Sequence, residues 1–300
     1  KELQMKKVRN DFIMAGIVLI ISIIFTILVA TVDVQPSGVS GSDLGFSTLN
    51  RSVFNSIGTN DAIYLATEIL GYIFILPAAV FAVLGIIQLI KRKSLKKVDL
   101  HYWALLGLYI AVAATYVFFE LVIVNYRPVL IDGKAEASYP SSHTMLAITV
   151  LLSSFLMVCR LVKNRTIKFV ALGITTVGSV AMAILRLYSG VHWATDIIGG
   201  VLISISLVLI FNAVLTLLDY MQFKKAEKCA SSESDKANNE PFIDNTKGNT
   251  EQPKENGTDN KNNNTESDIA DSDANGAQSG ADAIVPSADK QENADTLIKS

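Results

Sequence analysis

The chain is poor in charged residues and in cysteine. Only 18% of its 300 residues are charged, whereas 50% are hydrophobic, a composition too apolar for an ordinary soluble domain. The two cysteines, Cys159 and Cys229, allow at most one disulfide and match no metal-ligand spacing. The sequence therefore supports neither a disulfide scaffold nor a zinc module.

Basic residues form no continuous stripe along the chain. They occur in short clusters between long apolar runs, whereas a nucleic-acid-binding domain usually carries its Lys and Arg on one face. We therefore expect no nucleic-acid partner.

The charges that are present divide the chain into two parts. Residues 229–300 hold 6 Lys or Arg and 15 Asp or Glu, whereas residues 1–228 hold 20 and 13. The last part is rich in Asn, Asp and Ser, and such a composition buries too little surface to offset the entropy lost on ordering. We predict a membrane domain over 1–223 and a disordered acidic cytoplasmic tail over 224–300, whose composition identifies no partner.

Long apolar runs fill the first part. The first run, 12–30, has 19 residues without a charge, enough to cross a hydrocarbon core of about 30 Å. It exceeds the apolar part of a signal peptide and lacks a clear cleavage site, which favours a retained anchor. Five further spans are predicted at about 62–90, 102–125, 144–162, 167–185 and 197–218. The predicted fold class is an all-α polytopic membrane bundle of six transmembrane helices.

The distribution of Lys and Arg between the spans predicts their orientation. The segments 1–11, 91–101, 160–168 and 219–228 hold 16 of these residues, and the alternate segments hold Arg51, Arg127, Lys134 and Arg186. Basic residues favour the cytoplasmic side, so both termini are predicted to be cytoplasmic. Arg127 and Arg186 lie on the disfavoured outer side, which indicates a specific task such as anion binding.

The longest predicted outer loop, 31–61, contains an apolar repeat. Leu49, Val53 and Ile57 recur every four residues. Two interpretations stay equally open, a short helix at the membrane interface or an ordered loop with a few apolar anchors.

Polar residues gather at the outer ends of four predicted spans. They are Arg127-Pro128 after span three, Pro140-Ser141-Ser142-His143 before span four, Arg186 at the end of span five, and His192 to Asp196 at the start of span six. Each of these residues alone is common at a membrane interface or a helix end. Their joint placement on one side of the membrane predicts a site.

The residue types in this set suit the cleavage of a phosphate ester. His192 and Asp196 are four residues apart, so on a shared helical turn the carboxylate would accept a hydrogen bond from the imidazole and leave its other nitrogen as a nucleophile. His143 would lie in the first turn of span four and give a proton to a leaving oxygen. The arginine forks and the backbone N–H groups after Ser141 suit phosphate oxygens. This chemistry proceeds through a phosphohistidine and needs no metal and no cofactor.

The same stretches resemble the signature of the type 2 phosphatidic acid phosphatase superfamily of membrane lipid phosphatases. That signature reads K-x6-R-P, then P-S-G-H, then S-R-x5-H-x3-D. The second motif corresponds to Pro140-Ser141-Ser142-His143, and the third retains Arg186, His192 and Asp196 at the family spacing. The resemblance covers about residues 62–218, and it implies a six-span fold with an outward-facing site.

The resemblance also implies a role for each matched residue. His192 is the implied nucleophile, Asp196 its orienting partner and His143 the general acid. Arg127 and Arg186 are the implied phosphate ligands, assisted by Ser141, Ser142 and the backbone.

Three positions depart from the family pattern. Ser142 replaces a glycine but stays small, Leu185 replaces a serine, and Glu120 stands seven residues before Arg127 where the family has lysine. On a continuous helix Glu120 would lie two turns deeper than Arg127 on the same face, about 10 Å away. A carboxylate there would repel phosphate, unless it pairs with Arg127 or Arg186 or is held neutral by burial.

Two further charged residues bear on this departure. Lys134, in the same outer loop, is considered as a replacement for the missing positive charge. Glu68, near the outer end of span two, has two interpretations, a residue that lines the same cavity or a water-exposed interfacial carboxylate, and we favour the second.

The sequence thus predicts an enzyme of the plasma membrane, of bacterial type, in contact with membrane lipids. It would hydrolyse a lipid phosphate or a polyprenyl diphosphate at the extracytoplasmic face. Two alternatives stay open, a phosphotransferase of the same architecture that passes the phosphoryl group to an alcohol, and a non-catalytic lipid-binding or transport relative in which Glu120 has abolished the chemistry. Against transport, the polar residues cluster at one face, and no paired broken helices are found.

Overall fold

The computed structural model describes residues 2–39 and 41–238, with side chains through residue 231. The elements are α1 Glu2–Thr31, β1 Gln35–Pro36, β2 Asp43–Leu44, α2 Ser47–Ile57, α3 Asp61–Arg92, a 3-10 turn Leu95–Lys97, α4 Leu100–Leu121, α5 Ser142–Leu161, α6 Arg165–Tyr188 and α7 Ala194–Asn238. Strands β1 and β2 form a short antiparallel pair. All helices except α2 are long and apolar enough to cross a membrane. The predicted all-α bundle of six spans is confirmed, and the chain is a multi-pass membrane protein.

Helix α7 extends beyond its predicted span. It continues to Asn238, past residue 224, where the tail was predicted to begin. The added residues include Lys, Ala and Glu, which favour helix, and extending an existing helix costs less than starting one. The rest of the predicted tail, 239–300, lies outside the described residues.

Helices α5 and α7 form the centre of the bundle. Of their apolar windows 56% and 44% are buried, against 6% in α3, and α7 packs against α1, α4 and α5. The main buried cluster consists of Phe81, Leu105, Leu108, Met157, Phe211 and Leu215. Large apolar side chains of α1, α3 and α6 point away from this centre. Such an outer surface suits lipid as the surrounding solvent.

A polar cluster joins three helices at the end of the bundle remote from the motif residues. The His101 ring, at the start of α4, lies 2.7 Å from Asp99 through Nδ1 and 2.6 Å from Asp219 of α7 through Nε2. Arg160 of α5 also contacts Asp219, at 3.2 Å. His101 therefore has a structural place in the bundle, apart from the other two histidines.

The apolar repeat in the 31–61 segment forms a helix, which agrees with the first of its two interpretations. This helix, α2, lies against the start of α7. Asn50 donates to the Thr195 hydroxyl at 2.9 Å and accepts from the Thr195 N–H at 3.2 Å. Phe54 packs against Trp193 with ring centres 5.5 Å apart. Helix α2 thus covers the chain segment that carries the third motif.

Gly199 permits close packing between α7 and the segment before α5. A Cβ added at this position would overlap the Tyr139 ring, whose hydroxyl is held 2.7 Å from the Thr26 hydroxyl. We predict that Gly199→Ala lowers the free energy of unfolding by about 1–3 kcal/mol, because overpacking forces a buried side chain to shift. The measurement is Tm in detergent.

Gly107→Ala on α4 is the matched control, since a Cβ there meets nothing within 4 Å. Alanine is the better helix former, so the Tm of this variant should stay the same or rise slightly. An unchanged Tm for Gly199→Ala would contradict the close packing against Tyr139.

Candidate active site

His192 and Asp196 lie at the junction of α6 and α7 but do not share a helix, because α7 begins at Ala194. The predicted direct hydrogen bond is therefore wrong, and His192 Nδ1 stands 3.8 Å from Asp196 Oδ2. Nδ1 donates instead to the Ser138 carbonyl at 3.1 Å, and the Ser138 hydroxyl donates to Asp196 Oδ2 at 2.5 Å. A carbonyl can only accept, so Nδ1 carries the proton and Nε2 keeps a free lone pair.

The Asp196 carboxylate is fully buried and is held by donors from three places in the chain. The Asn125 amide donates at 2.7 Å from the segment after α4, and the backbone N–H of Trp193 donates at 2.9 Å. Ser138, just before α5, is the third donor. Sequence reasoning missed Asn125 and Ser138, whose only signal was their polar character in the segment leading to the second motif.

The His192 ring is buried, and its Nε2 has no hydrogen-bond partner among the described residues. Burial, together with the positive charges of Arg186 and Arg127, lowers the pKa of His192 well below its usual value. The imidazole is therefore neutral at neutral pH, and its Nε2 lone pair is available, which is the state required of a nucleophile.

The Arg186 guanidinium is fully buried in the last turn of α6 and is held along one edge by α3. Its Nη1 donates to the Thr67 hydroxyl and to Glu68 Oε1, both at 2.9 Å. The guanidinium carbon lies 5.2 Å from the centre of the Tyr64 ring. Within the described part of the chain, Nε and Nη2 have no partner, so the other edge of the guanidinium is free to hold a ligand.

His143 lies in the first turn of α5, as predicted, and contacts the same carboxylate. Its Nε2 is 3.2 Å from Glu68 Oε2, and its buried Nδ1 has no hydrogen-bond partner among residues 2–39 and 41–231. Glu68 therefore joins His143 to Arg186. The structure corrects the sequence interpretation of Glu68, whose side chain is 26% exposed and has both oxygens in contact with the site.

Arg127 lies in a loop, because α4 ends at Leu121. The run from Val122 to Val124 is β-branched, and Pro128 disfavours a helical conformation at Arg127, so the helix does not continue. The predicted helical relation between Glu120 and Arg127 is therefore wrong.

Arg127 is held by the chain that returns towards α5. Its backbone N–H donates to the Glu136 carbonyl at 3.0 Å, and its Nη2 lies 3.3 Å from the Glu136 carboxylate. Nε and Nη1 are buried without a partner among the described residues. Sequence reasoning missed Glu136.

Glu120 lines a cavity of about 380 Å³ together with Arg127, Glu136 and His192. Arg127 pairs with Glu136 and Arg186 pairs with Glu68. The first alternative for Glu120, pairing with one of these arginines, is therefore wrong. A carboxylate therefore stands in the cavity beside Arg127, where the family signature has lysine.

Ser141, Ser142 and Lys134 occupy three different settings. The buried Ser141 hydroxyl lies 3.0 Å from the Thr144 hydroxyl instead of capping a backbone N–H. Ser142 opens α5 and lines this cavity and also a second one between α3, α4 and α5. Lys134 is exposed in a turn and does not line the cavity, so the structure does not bring it to the site.

A second cavity, of about 460 Å³, lies between α3, α4 and α5. Glu68, Ser142 and His143 stand in its wall, and most of the remaining lining is apolar, including Ile75, Ala78, Val112, Leu146 and Val150. Its size is within the usual range for a small-molecule pocket, about 300–1,000 Å³. The site therefore combines a polar cavity at Arg127 with an apolar one that leads into the bundle.

The family model of the PAP2 superfamily matches residues 121–218. PAP2 is the short name of the type 2 phosphatidic acid phosphatase superfamily. The resemblance seen in the motifs is confirmed. The PAP2 segment contains Arg127, the second motif and the third motif, whereas α3 with Glu68 lies outside it.

This chain is similar to a solved structure. It is the crystal structure of the first transmembrane PAP2 type phosphatidylglycerolphosphate phosphatase from Bacillus subtilis, with a TM-score of 0.49 and 18% identity, covering 70% of this chain and 96% of that one. No curated protein matches the chain at a significant level.

The network around Asp196 generates a prediction about stability. Asn125→Ala removes one of three donors to a fully buried carboxylate, so we predict a free energy of unfolding lower by about 1–3 kcal/mol. Thermal unfolding in detergent measures it. Asn55→Ala, at an exposed position of α2, is the control, and equal Tm values for the two variants would show that Asn125 does not support Asp196.

Proposed function

We propose that this protein is an integral membrane phosphatase that hydrolyses lipid phosphates through a phosphohistidine. One observation carries the proposal. Arg127, Arg186, His143 and His192 together present six buried nitrogen atoms that have no partner in the described part of the chain. Unpaired buried polar atoms are costly, and arginine N–H groups match the oxygens of a phosphate. This arrangement favours a phosphate group as the ligand.

The proposed reaction has two steps. His192 Nε2 attacks phosphorus and forms an N–P bond, while the bond from phosphorus to the ester oxygen breaks and His143 gives a proton to that oxygen. Water then attacks phosphorus and gives a proton to His143, and the N–P bond breaks. Inorganic phosphate leaves with both histidines restored, and for a diphosphate substrate the first leaving group is the lipid monophosphate.

Ser138 and Asp196 support the first step in this proposal. The Ser138 carbonyl keeps the proton on Nδ1, so that Nε2 faces the phosphate. The Asp196 charge, 3.8 Å from Nδ1, stabilises the positive charge that the ring gains when Nε2 bonds to phosphorus. In this proposal Ser141 shapes the chain just before α5. Ser142 lines both cavities and so lies beside the bound phosphate.

The apolar cavity supports a lipid as the substrate. Its wall contains His143, so a hydrocarbon chain seated there would bring its phosphate beside the histidine. We propose a phosphatidate-type lipid or a polyprenyl diphosphate, presented from the surrounding membrane. The distribution of Lys and Arg supports an extracytoplasmic site, with both termini in the cytoplasm. The Lys- and Asn-rich last part of the sequence and the short loops favour a bacterial plasma membrane.

The test is phosphate release by the purified protein in detergent with EDTA. Polyprenyl diphosphate, phosphatidate and phosphatidylglycerophosphate form the substrate panel. We predict release that persists in EDTA and falls at least about a thousandfold in His192→Ala, because the nucleophile is lost. Asn55→Ala is the control for handling and for folding in detergent.

Three other outcomes would each contradict part of the proposal. Full activity in His192→Ala would overturn the phosphohistidine route. Transfer of phosphate to an added alcohol, without release to water, would identify a phosphotransferase. Lipid binding that survives His192→Ala, with no release by the wild type on any lipid, would indicate a non-catalytic relative.

Glu120 offers a separate prediction about substrate binding. Its carboxylate shares the cavity with Arg127 and opposes a phosphate anion there. Glu120→Lys, which restores the family residue, is predicted to lower KM by about threefold to tenfold, and Glu120→Gln should lie between this variant and the wild type. A higher KM in both variants would show that the carboxylate contributes to binding.

A further inference from the structure

Glu68 on α3 contacts two groups of the proposed site at once. Its Oε1 lies 2.9 Å from Arg186 Nη1, and its Oε2 lies 3.2 Å from His143 Nε2. The two partners come from different helices, α6 and α5. One carboxylate therefore connects a phosphate-binding residue with the proposed general acid.

The face of α3 around Glu68 is shaped for these partners. Tyr64, Thr67, Glu68 and Gly71 follow the spacing of one helical face. Thr67 and Tyr64 contact Arg186, and a Cβ at Gly71 would come within 2.9 Å of His143 Cδ2. The lack of a side chain at Gly71 lets the imidazole lie close to α3, within reach of Glu68.

Glu68 occupies only one edge of each partner. Among the described residues, nothing contacts Arg186 Nε and Nη2 or His143 Nδ1 through a hydrogen bond. The Glu68 carboxylate, 3.2 Å from Nε2, favours a proton on that nitrogen and leaves Nδ1 to carry the proton that is transferred. Glu68 thus leaves the reacting atoms open while fixing both side chains.

The charges around His143 explain why this contact matters. Arg186 of α6, Arg127 of the loop before α5 and His192 of the α6–α7 junction interact electrostatically with it. The two arginines repel a positive charge on the imidazole, and the Glu68 carboxylate, 3.2 Å from Nε2, attracts it.

We infer that Glu68 is a positioning residue, which orients His143 for proton donation to the leaving oxygen and holds Arg186 against α3. The inference rests on the proposed phosphatase function. Glu68 lies outside the PAP2 segment and outside the three motifs, so it is an addition of α3 to the site.

The test compares two substrates that differ in their need for a general acid. A short-chain phosphatidate has an alkyl leaving group that must be protonated, whereas p-nitrophenyl phosphate has a good leaving group that hardly needs a proton. We predict that Glu68→Gln lowers kcat for phosphatidate by about tenfold to a hundredfold, and kcat for p-nitrophenyl phosphate by less than about threefold. The ratio of the two rates within one preparation does not depend on how much of the variant is folded.

Three further variants sharpen the result. Glu68→Asp keeps a carboxylate and should recover part of the lost ratio. Asp61→Asn, an exposed carboxylate at the start of the same helix, should leave both rates unchanged. In a His143→Ala background, Glu68→Gln should change the ratio no further, because the two residues act through one step.

An unchanged ratio of the two rates, whether or not both fall equally, would overturn the claim that Glu68 orients His143 for proton donation. A further change of the ratio in the His143→Ala background would show that Glu68 acts through another group. Failure of the proposed phosphatase function would give a different result from failure of this inference, because the wild-type protein would then release phosphate from neither substrate.

Discussion

A buried carboxylate determines how the site is assembled. Asp196 has no exposed surface, and a carboxylate without solvent is stable only when donors surround it. Its donors come from Asn125, Ser138 and the backbone of Trp193. The chain between α4 and α5 must therefore fold back onto the start of α7, which brings Arg127 and His143 to the side of His192.

The two arginines are held in the same way. Each guanidinium pairs with a carboxylate of the protein through one terminal nitrogen, Arg127 with Glu136 and Arg186 with Glu68, and each has two nitrogen atoms left without a partner in the described region. The protein carboxylates orient the two forks, and the remaining donors can bind a shared anion. Because Glu120 adds another negative charge, this site is less positive than the family signature implies.

Sequence reasoning located the six spans and the residues of the three motifs, because long apolar runs and motif spacing are properties of the chain itself. It failed where a tertiary contact replaced a local one. The i, i+4 spacing of His192 and Asp196 predicted a shared helical turn, but α7 starts at Ala194 and Ser138 joins the pair.

Sequence reasoning missed two other features. The end of α4 at Leu121 changed the relation of Glu120 to Arg127, although Pro128 was a signal that helix was disfavoured there. The role of Glu68 depends on the packing of α3 against α5 and α6, and its neighbours in sequence carry no sign of that contact.

The central claim is that His192 Nε2 accepts a phosphoryl group. In the most direct measurement, the purified protein is mixed rapidly with a substrate that it turns over. The mixture is then quenched in alkali, in which phosphohistidine survives. Mass spectrometry then locates any added phosphoryl group. The account predicts one such group on the peptide that contains His192, and none in His192→Ala. Turnover without a phosphoryl group on the protein at any time, or with one on another residue, would contradict it.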